Sequence, residues 1–78
     1  MMPHLGSAVT DIIHTNPLVV RRWIAQEPGT WGFLAGKAVL AAREKLGRKL
    51  SQTERRILWD LLWTELQVIA RQNKLIKD

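Results

Sequence analysis

The longest amphipathic pattern in the chain runs from Ser51 to Gln72. At 100° per residue, its polar residues fall on one narrow face and leave the rest of the circumference apolar. This polar face consists of Arg56, Asp60, Thr64, Gln67, Arg71 and, just beyond the segment, Lys74. Ser51 and Glu54 have the spacing of a capping box, which marks a helix start. The pattern predicts a long C-terminal helix that needs apolar contacts on three sides.

Three shorter helices are predicted before it from the spacing of apolar residues and from the turn residues between them. They run from about Ser7 to Thr15, from Pro17 to Glu27 and from Thr30 to Leu46. Asn16 is predicted to cap the second helix and Thr30 the third, and Gly47 is predicted to end the third in a left-handed conformation.

These elements predict an all-α fold, a compact bundle of about four helices in a single domain of residues 1–78. Residues 1–6 are expected to form a frayed arm, and residues 74–78 a frayed tail. Gly32 and Gly36 lie four residues apart inside the third helix, where each glycine costs about 1 kcal/mol relative to alanine. Their presence predicts that the backbone of another helix approaches closely at this point.

Composition limits the class of protein. The chain has 78 residues and no cysteine, which excludes disulfides and thiolate zinc sites and is typical of a reducing compartment. The longest run without Asp, Glu, Lys or Arg is Met1–Thr10, far shorter than the roughly 20 residues that cross a bilayer. The N-terminus also lacks the basic start of a signal peptide. We therefore expect a soluble cytoplasmic protein without membrane association.

The net charge of +5 is concentrated in one region. Between residues 43 and 56 there are six basic and two acidic side chains, and the basic ones are Arg43, Lys45, Arg48, Lys49, Arg55 and Arg56. A positive surface of this kind favours polyanions such as nucleic acid. Cations at the end of a helix also complement its dipole without any ligand, so this alternative stays open.

The segment Val9–Gln26, VTDIIHTNPLVVRRWIAQ, contains a motif that points to a function. It resembles the helix-turn-helix of excisionase- and MerR-like DNA-binding proteins at Asp11, Ile12, Ile13, Pro17, Val20, Arg21, Arg22, Trp23 and Ile24. The resemblance implies that the second helix enters the major groove of duplex DNA, with Arg21 and Arg22 directed at phosphates. Leu18 and Val19 would add only contacts with thymine methyl groups. A helical hairpin without a ligand is the alternative interpretation.

Candidate chemistry for catalysis or metal binding is sparse. The chain has no cysteine or tyrosine, no Gly-rich phosphate loop and no carboxylate pair in an evident pocket, so we predict neither an enzyme nor a cofactor or small-molecule substrate. Asp11 and His14 have the spacing of one helix face, but two ligands without a third do not make a metal site. We predict no bound metal.

The tryptophans and one glutamate suggest a partner surface. Trp59 and Trp63 follow each other by one turn at the edge of the apolar arc of the C-terminal helix, and tryptophan is enriched at interfaces. We predict a symmetric homodimer through this helix, with Trp59, Trp63, Leu66 and Glu65 as interface residues. Glu65 lies near the middle of the arc, so we expect it to pair with Arg21, Arg22 or Arg43 or another hydrogen-bonding partner, to be protonated, or to reach the rim; its functional interpretation is an interface or switch glutamate.

Two functions remain open from the sequence. The first is a small basic DNA-binding protein, with regulation as one role open to it, that uses the first two helices and the basic region. The second is a helical module for protein–protein interaction or dimerisation that does not bind nucleic acid.

Overall fold

The described part of the chain folds into four helices joined by short connections. In the computed structural model, which describes the backbone of residues 3–76 and the side chains of residues 4–72, they are α1 (Pro3–Thr15), α2 (Pro17–Ile24), α3 (Thr30–Leu46) and α4 (Gln52–Ile76). The predicted all-α bundle with a long C-terminal helix is confirmed. No helix of the described residues is both long and apolar enough to cross a membrane.

The core lies between α1, α3 and α4. α1 packs along α3 and also against α4, whereas α2 packs mainly on α3. Alanines on the inner face of α3 allow α1 to approach closely, and leucines of α4 close the core from the other side. The fully or almost fully buried residues of these three helices are Leu5, Ala8, Val9, Ile12, Leu34, Ala35, Ala38, Ala42, Leu58, Leu62 and Leu66.

The turn from α3 to α4 follows the local signals in the sequence. Gly47 has a φ of 74° and its N–H donates to the carbonyl oxygen of Arg43, so it ends α3 as predicted. The capping box is also confirmed, because the Ser51 N–H donates to Oε1 of Glu54 (2.8 Å) and the Glu54 N–H donates to Oγ of Ser51 (3.1 Å). The tight turn sends α4 back along α3.

The prediction of a frayed N-terminal arm was wrong for residues 3–6, because α1 begins at Pro3. Proline is well tolerated in a first helical turn, where its missing N–H has no partner to lose. Leu5 is buried in the core and holds this turn in place, so Ser7 lies inside the helix and does not cap it. Met1 and Met2 lie outside the described residues.

Two predicted caps form other bonds. The side chain of Asn16 makes no cap bond to α2, and its Nδ2 donates instead to the Ile12 carbonyl oxygen at the end of α1 (3.0 Å). Thr30 is the first residue of α3, after Gly29 in the left-handed conformation, and its Oγ1 donates back to the Glu27 carbonyl oxygen (2.8 Å). Both side chains therefore fasten the preceding segment.

α2 ends at Ile24, three residues earlier than predicted, in a turn with a left-handed residue. The N–H of Gln26 donates to the carbonyl oxygen of Trp23 (2.9 Å), and the N–H of Glu27 to that of Arg22 (3.0 Å). This pair of bonds is a Schellman motif, whose left-handed position is usually glycine. Gln26 occupies it with a φ of 64°.

The prediction that another helix approaches Gly32 and Gly36 was wrong. A Cβ atom added at either glycine would meet nothing within 4 Å, and both residues are exposed. Phe33 and Leu40 lie on the same outer face of α3 and are about half exposed. The alanines of α3, and not its glycines, are the small residues that admit α1.

The residues of α4 that are buried lie to one side of the centre of the apolar arc that the sequence predicts. Leu58, Leu62 and Leu66 are completely buried, whereas Leu61 and Val68 are exposed. The arc is wider than the surface that α1 and α3 cover, so one side of it stays in water. The predicted frayed tail is helical as far as Ile76, and Lys77 and Asp78 lie outside the described residues.

Candidate nucleic-acid interface

The outer face of α2 presents two arginines. Val20 is buried, and Trp23 and Ile24 pack against the core, as the sequence predicts. Helical spacing then directs Arg21 and Arg22 to the solvent, and both are exposed. Leu18 lies one turn earlier on this face and is 66% exposed. The face combines two cations with one aliphatic side chain.

α1 and α2 are joined by one residue. Asn16 has a non-helical φ of −130°, yet its N–H donates to the Ile12 carbonyl oxygen and its own carbonyl oxygen accepts from Val20 (both 3.1 Å). The connection is shorter than the three- to four-residue turn of a typical helix-turn-helix. The resemblance to that motif stays a prediction, with a tighter joint than the motif usually has.

The six basic residues of the predicted patch surround the turn from α3 to α4, and all of them are exposed. Arg43, Arg48 and Lys49 line a shallow hollow of about 520 Å³ together with Leu40 and Glu44. Arg55 and Arg56 lie in the first turns of α4, where the helix dipole adds positive potential. The sequence therefore located this end of the molecule correctly as a basic surface.

Two cations of the patch are partly neutralised by acidic neighbours. Nζ of Lys45 lies 2.8 Å from a carboxylate oxygen of Asp11. The guanidinium of Arg48 binds the carboxylate of Glu54 through two bonds, at 2.7 and 2.8 Å. Because Asp11 is engaged with Lys45, the ion pair gives it a structural role in joining α1 to α3.

Glu54 connects the Arg48 pair to the capping box. The hydrogen bond from Arg48 is the largest cause that lowers the pKa of Glu54 from its ordinary value of 4.5 to about 2, and the N–H of Ser51 adds to it. The same pair raises the pKa of Arg48. The carboxylate therefore stays ionised well into the acid range.

We expect Glu54→Gln to lower the melting temperature at pH 7, because glutamine keeps an acceptor for the Ser51 N–H but loses the charge that Arg48 binds. Since the folded pKa lies below the unfolded one, the contribution of Glu54 is complete above pH 4.5 and is lost as the pH falls towards about 2. Melting curves of both proteins between pH 7 and 2 should therefore converge in acid. An equal loss in Glu44→Gln, an exposed glutamate outside both ion pairs, would contradict this assignment.

The predicted partner surface on α4 is only partly available. Leu66 is completely buried within its own chain, so its assignment to an interface was wrong. Glu65 is exposed and belongs to neither ion pair of the described residues, so the expected pairing with Arg21, Arg22 or Arg43 was also wrong. Trp59 and Trp63 remain 38% and 49% exposed.

Trp63 belongs to a cluster that sequence reasoning missed. Its ring lies 5.7 Å from that of Trp23 at 87° and 5.6 Å from that of Trp31 at 85°, both centroid distances in edge-to-face geometry. The three residues come from α2, α3 and α4 and border a hollow of about 470 Å³. Their positions in the chain share no period, so only the packing of the helices reveals the cluster.

Comparisons with protein-family models, with curated proteins and with solved structures found no match to this chain.

Proposed function

We propose that this protein binds nucleic acid, with duplex DNA as its target, through contacts with the sugar–phosphate backbone. The observation that carries the proposal is the outer face of α2, where Arg21 and Arg22 are exposed and take part in neither ion pair of the described residues. Backbone contacts from arginine and lysine supply most of the non-specific affinity for DNA. Leu18 on the same face is suited to contact with thymine methyl groups.

The basic end of the molecule supports a second set of phosphate contacts. After the pairs of Lys45 with Asp11 and of Arg48 with Glu54, the cations outside ion pairs are Arg43, Lys49, Arg55 and Arg56. Four exposed cations next to the N-terminus of α4 suit a polyanion better than a single small anion. The proposed function therefore uses both α2 and the turn from α3 to α4.

We expect Arg21→Ala combined with Arg22→Ala to weaken binding to a random-sequence duplex. If each arginine neutralises one phosphate, the slope of log K against log salt should become shallower by about 2. Fluorescence anisotropy with a labelled duplex between 50 and 200 mM salt measures this slope.

The matched control is Lys37→Ala combined with Arg71→Ala, which removes the same charge from exposed positions outside the proposed interface. It should leave the slope almost unchanged. The proposal would be contradicted by an absence of binding at 50 mM salt, or by the same change of slope in both double variants.

Homodimerisation through α4 is a second candidate function. Leu61 and Val68 are seven residues apart and 36% and 42% exposed, and the partly buried Ile57 precedes Leu61 by one turn. These three residues share one side of α4, away from Leu58 and Leu62, so a second copy of the same face would cover them by two-fold symmetry. Glu65 lies beside this apolar side and would form part of its polar rim.

Light scattering tests the dimer directly. We expect twice the chain mass of 9.0 kDa at high concentration, and the mass of one chain for Leu61→Glu combined with Val68→Glu. Leu18→Glu is the control. It places a charge on the exposed face of α2, away from the proposed dimer contact, and should leave the dimer intact. A wild-type protein that stays monomeric throughout a wide concentration range would contradict this second candidate.

A further inference from the structure

The hollow bordered by Trp23, Trp31 and Trp63, here called the tryptophan hollow, lies where α2, α3 and α4 meet. Its remaining wall is formed by the turn from Gln26 to Thr30 and by Gln67 of α4. With a volume of about 470 Å³ it falls in the range of small-molecule sites. Trp63 is half exposed at its mouth, so a ligand from solvent can reach the indoles.

The indole rings give the hollow its electrostatic character. The face of an aromatic ring carries negative charge density, and tryptophan attracts a cation more strongly than the other aromatic residues. Trp63 stands almost perpendicular to both Trp23 and Trp31, and all three residues line the hollow. Among the side chains of residues 4–72, the cation–π contact is that of Lys37 with Phe33, and no cation within this range covers any of the three indoles.

The charge of the residues that line the hollow also favours a cationic ligand. Among the side chains of residues 4–72 that line the hollow, Glu27 is the one ionisable group, in a chain whose net charge is +5. Its carboxylate takes part in neither ion pair of the described residues. A carboxylate beside the indoles favours a cationic ligand over an anionic one.

The backbone of Gln26, at the rim of the hollow, is in a left-handed conformation that glycine would adopt more readily. Gln26 holds a φ of 64°, which glycine adopts without a steric cost, and it is one of the residues that line the hollow. Backbone strain of this kind is concentrated at binding sites. Gln26 therefore adds a polar residue to the lining of the hollow.

We propose that the tryptophan hollow binds a quaternary ammonium group of a small organic cation. Methyl groups on nitrogen spread the charge over an apolar surface, which matches indole faces, while Glu27 supplies the counter-charge. The site is independent of the nucleic-acid interface and does not require it.

Choline chloride is the probe, and 3,3-dimethyl-1-butanol, which has the same shape without the charge, is its neutral control. We expect choline to change the tryptophan fluorescence in a saturable way, and the neutral alcohol to bind about tenfold more weakly, as cation–π attraction and one carboxylate imply. Titration calorimetry provides a second measure of both affinities. Equal affinity for the two compounds, or no saturation with choline, would overturn the proposal.

Two pairs of variants localise the site. Trp63→Phe should weaken choline binding about threefold or more, whereas Trp59→Phe, one turn away on the same helix and outside the hollow, should not. Glu27→Gln should weaken binding similarly, and Glu65→Gln, which removes the same charge elsewhere, should not. An equal effect of both members of either pair places the ligand outside the hollow and overturns the assignment, provided that helical circular dichroism shows every variant folded.

Discussion

Leu62→Ala should destabilise the protein by about 3 kcal/mol, the typical cost of removing a fully buried leucine from a core. Leu62 has no exposed surface and lies between Leu58 and Leu66 in the buried stripe of α4. For a domain of this size, the loss corresponds to a fall of about 12–24 °C in melting temperature. Urea unfolding followed by circular dichroism measures the free energy of unfolding directly.

The matched control is Leu18→Ala, which removes the same atoms from a side chain that is 66% exposed. We expect a change within about 0.5 kcal/mol there. A similar loss at both positions would mean that α2 and not only α4 is covered in solution, for example by a second chain. A negligible loss at Leu62 would contradict the helix packing described above.

Gln26→Gly should stabilise the protein by about 0.5–1 kcal/mol. A left-handed conformation costs a residue with a Cβ about 1–2 kcal/mol, and glycine removes that cost. Part of the gain is offset because glycine has more freedom in the unfolded chain. For this chain length, the net effect is a rise of about 2–8 °C in melting temperature.

Gln26→Ala separates the backbone effect from the loss of the side chain. Alanine keeps the Cβ atom and therefore the strain at a φ of 64°, so we expect no stabilisation from it. If alanine and glycine stabilised the protein equally, the side chain and not the left-handed backbone would be the source of strain.

Local signals in the sequence predicted the helix boundaries well where the bonds close within a few residues. Gly47 ends α3, and Ser51 and Glu54 start α4 as a capping box, because each motif is complete within its own turn. Asn16 failed as a cap for α2 because its side chain turns back to α1, where Nδ2 donates to the carbonyl oxygen of Ile12, and makes no cap bond to an N–H of α2. Spacing alone does not decide whether such a side chain accepts from the following helix or donates to the preceding one.

The candidate sites were predicted to different extents, because a local pattern reveals exposure and charge but does not reveal contacts between helices. Exposure of Arg21 and Arg22 follows from the period of α2, and the basic surface around residues 43–56 follows from the density of charge. The tryptophan hollow required Trp23, Trp31 and Trp63 to meet from three helices, which no local pattern encodes. Their contact depends on how α4 lies against α2 and α3.

The sequence by itself determined that the chain is helical, where its turns lie and which residues are able to enter a core. Tertiary structure alone decided which of those residues did so: Leu66 is buried, Leu61 is exposed, and Gly32 and Gly36 face outwards. The physical reason is that periodicity defines an apolar arc on each helix, whereas burial depends on how much of that arc neighbouring helices are able to cover. In α4 the apolar arc is wider than the surface that α1 and α3 cover. Only the packing of the helices decides which part of the arc stays exposed.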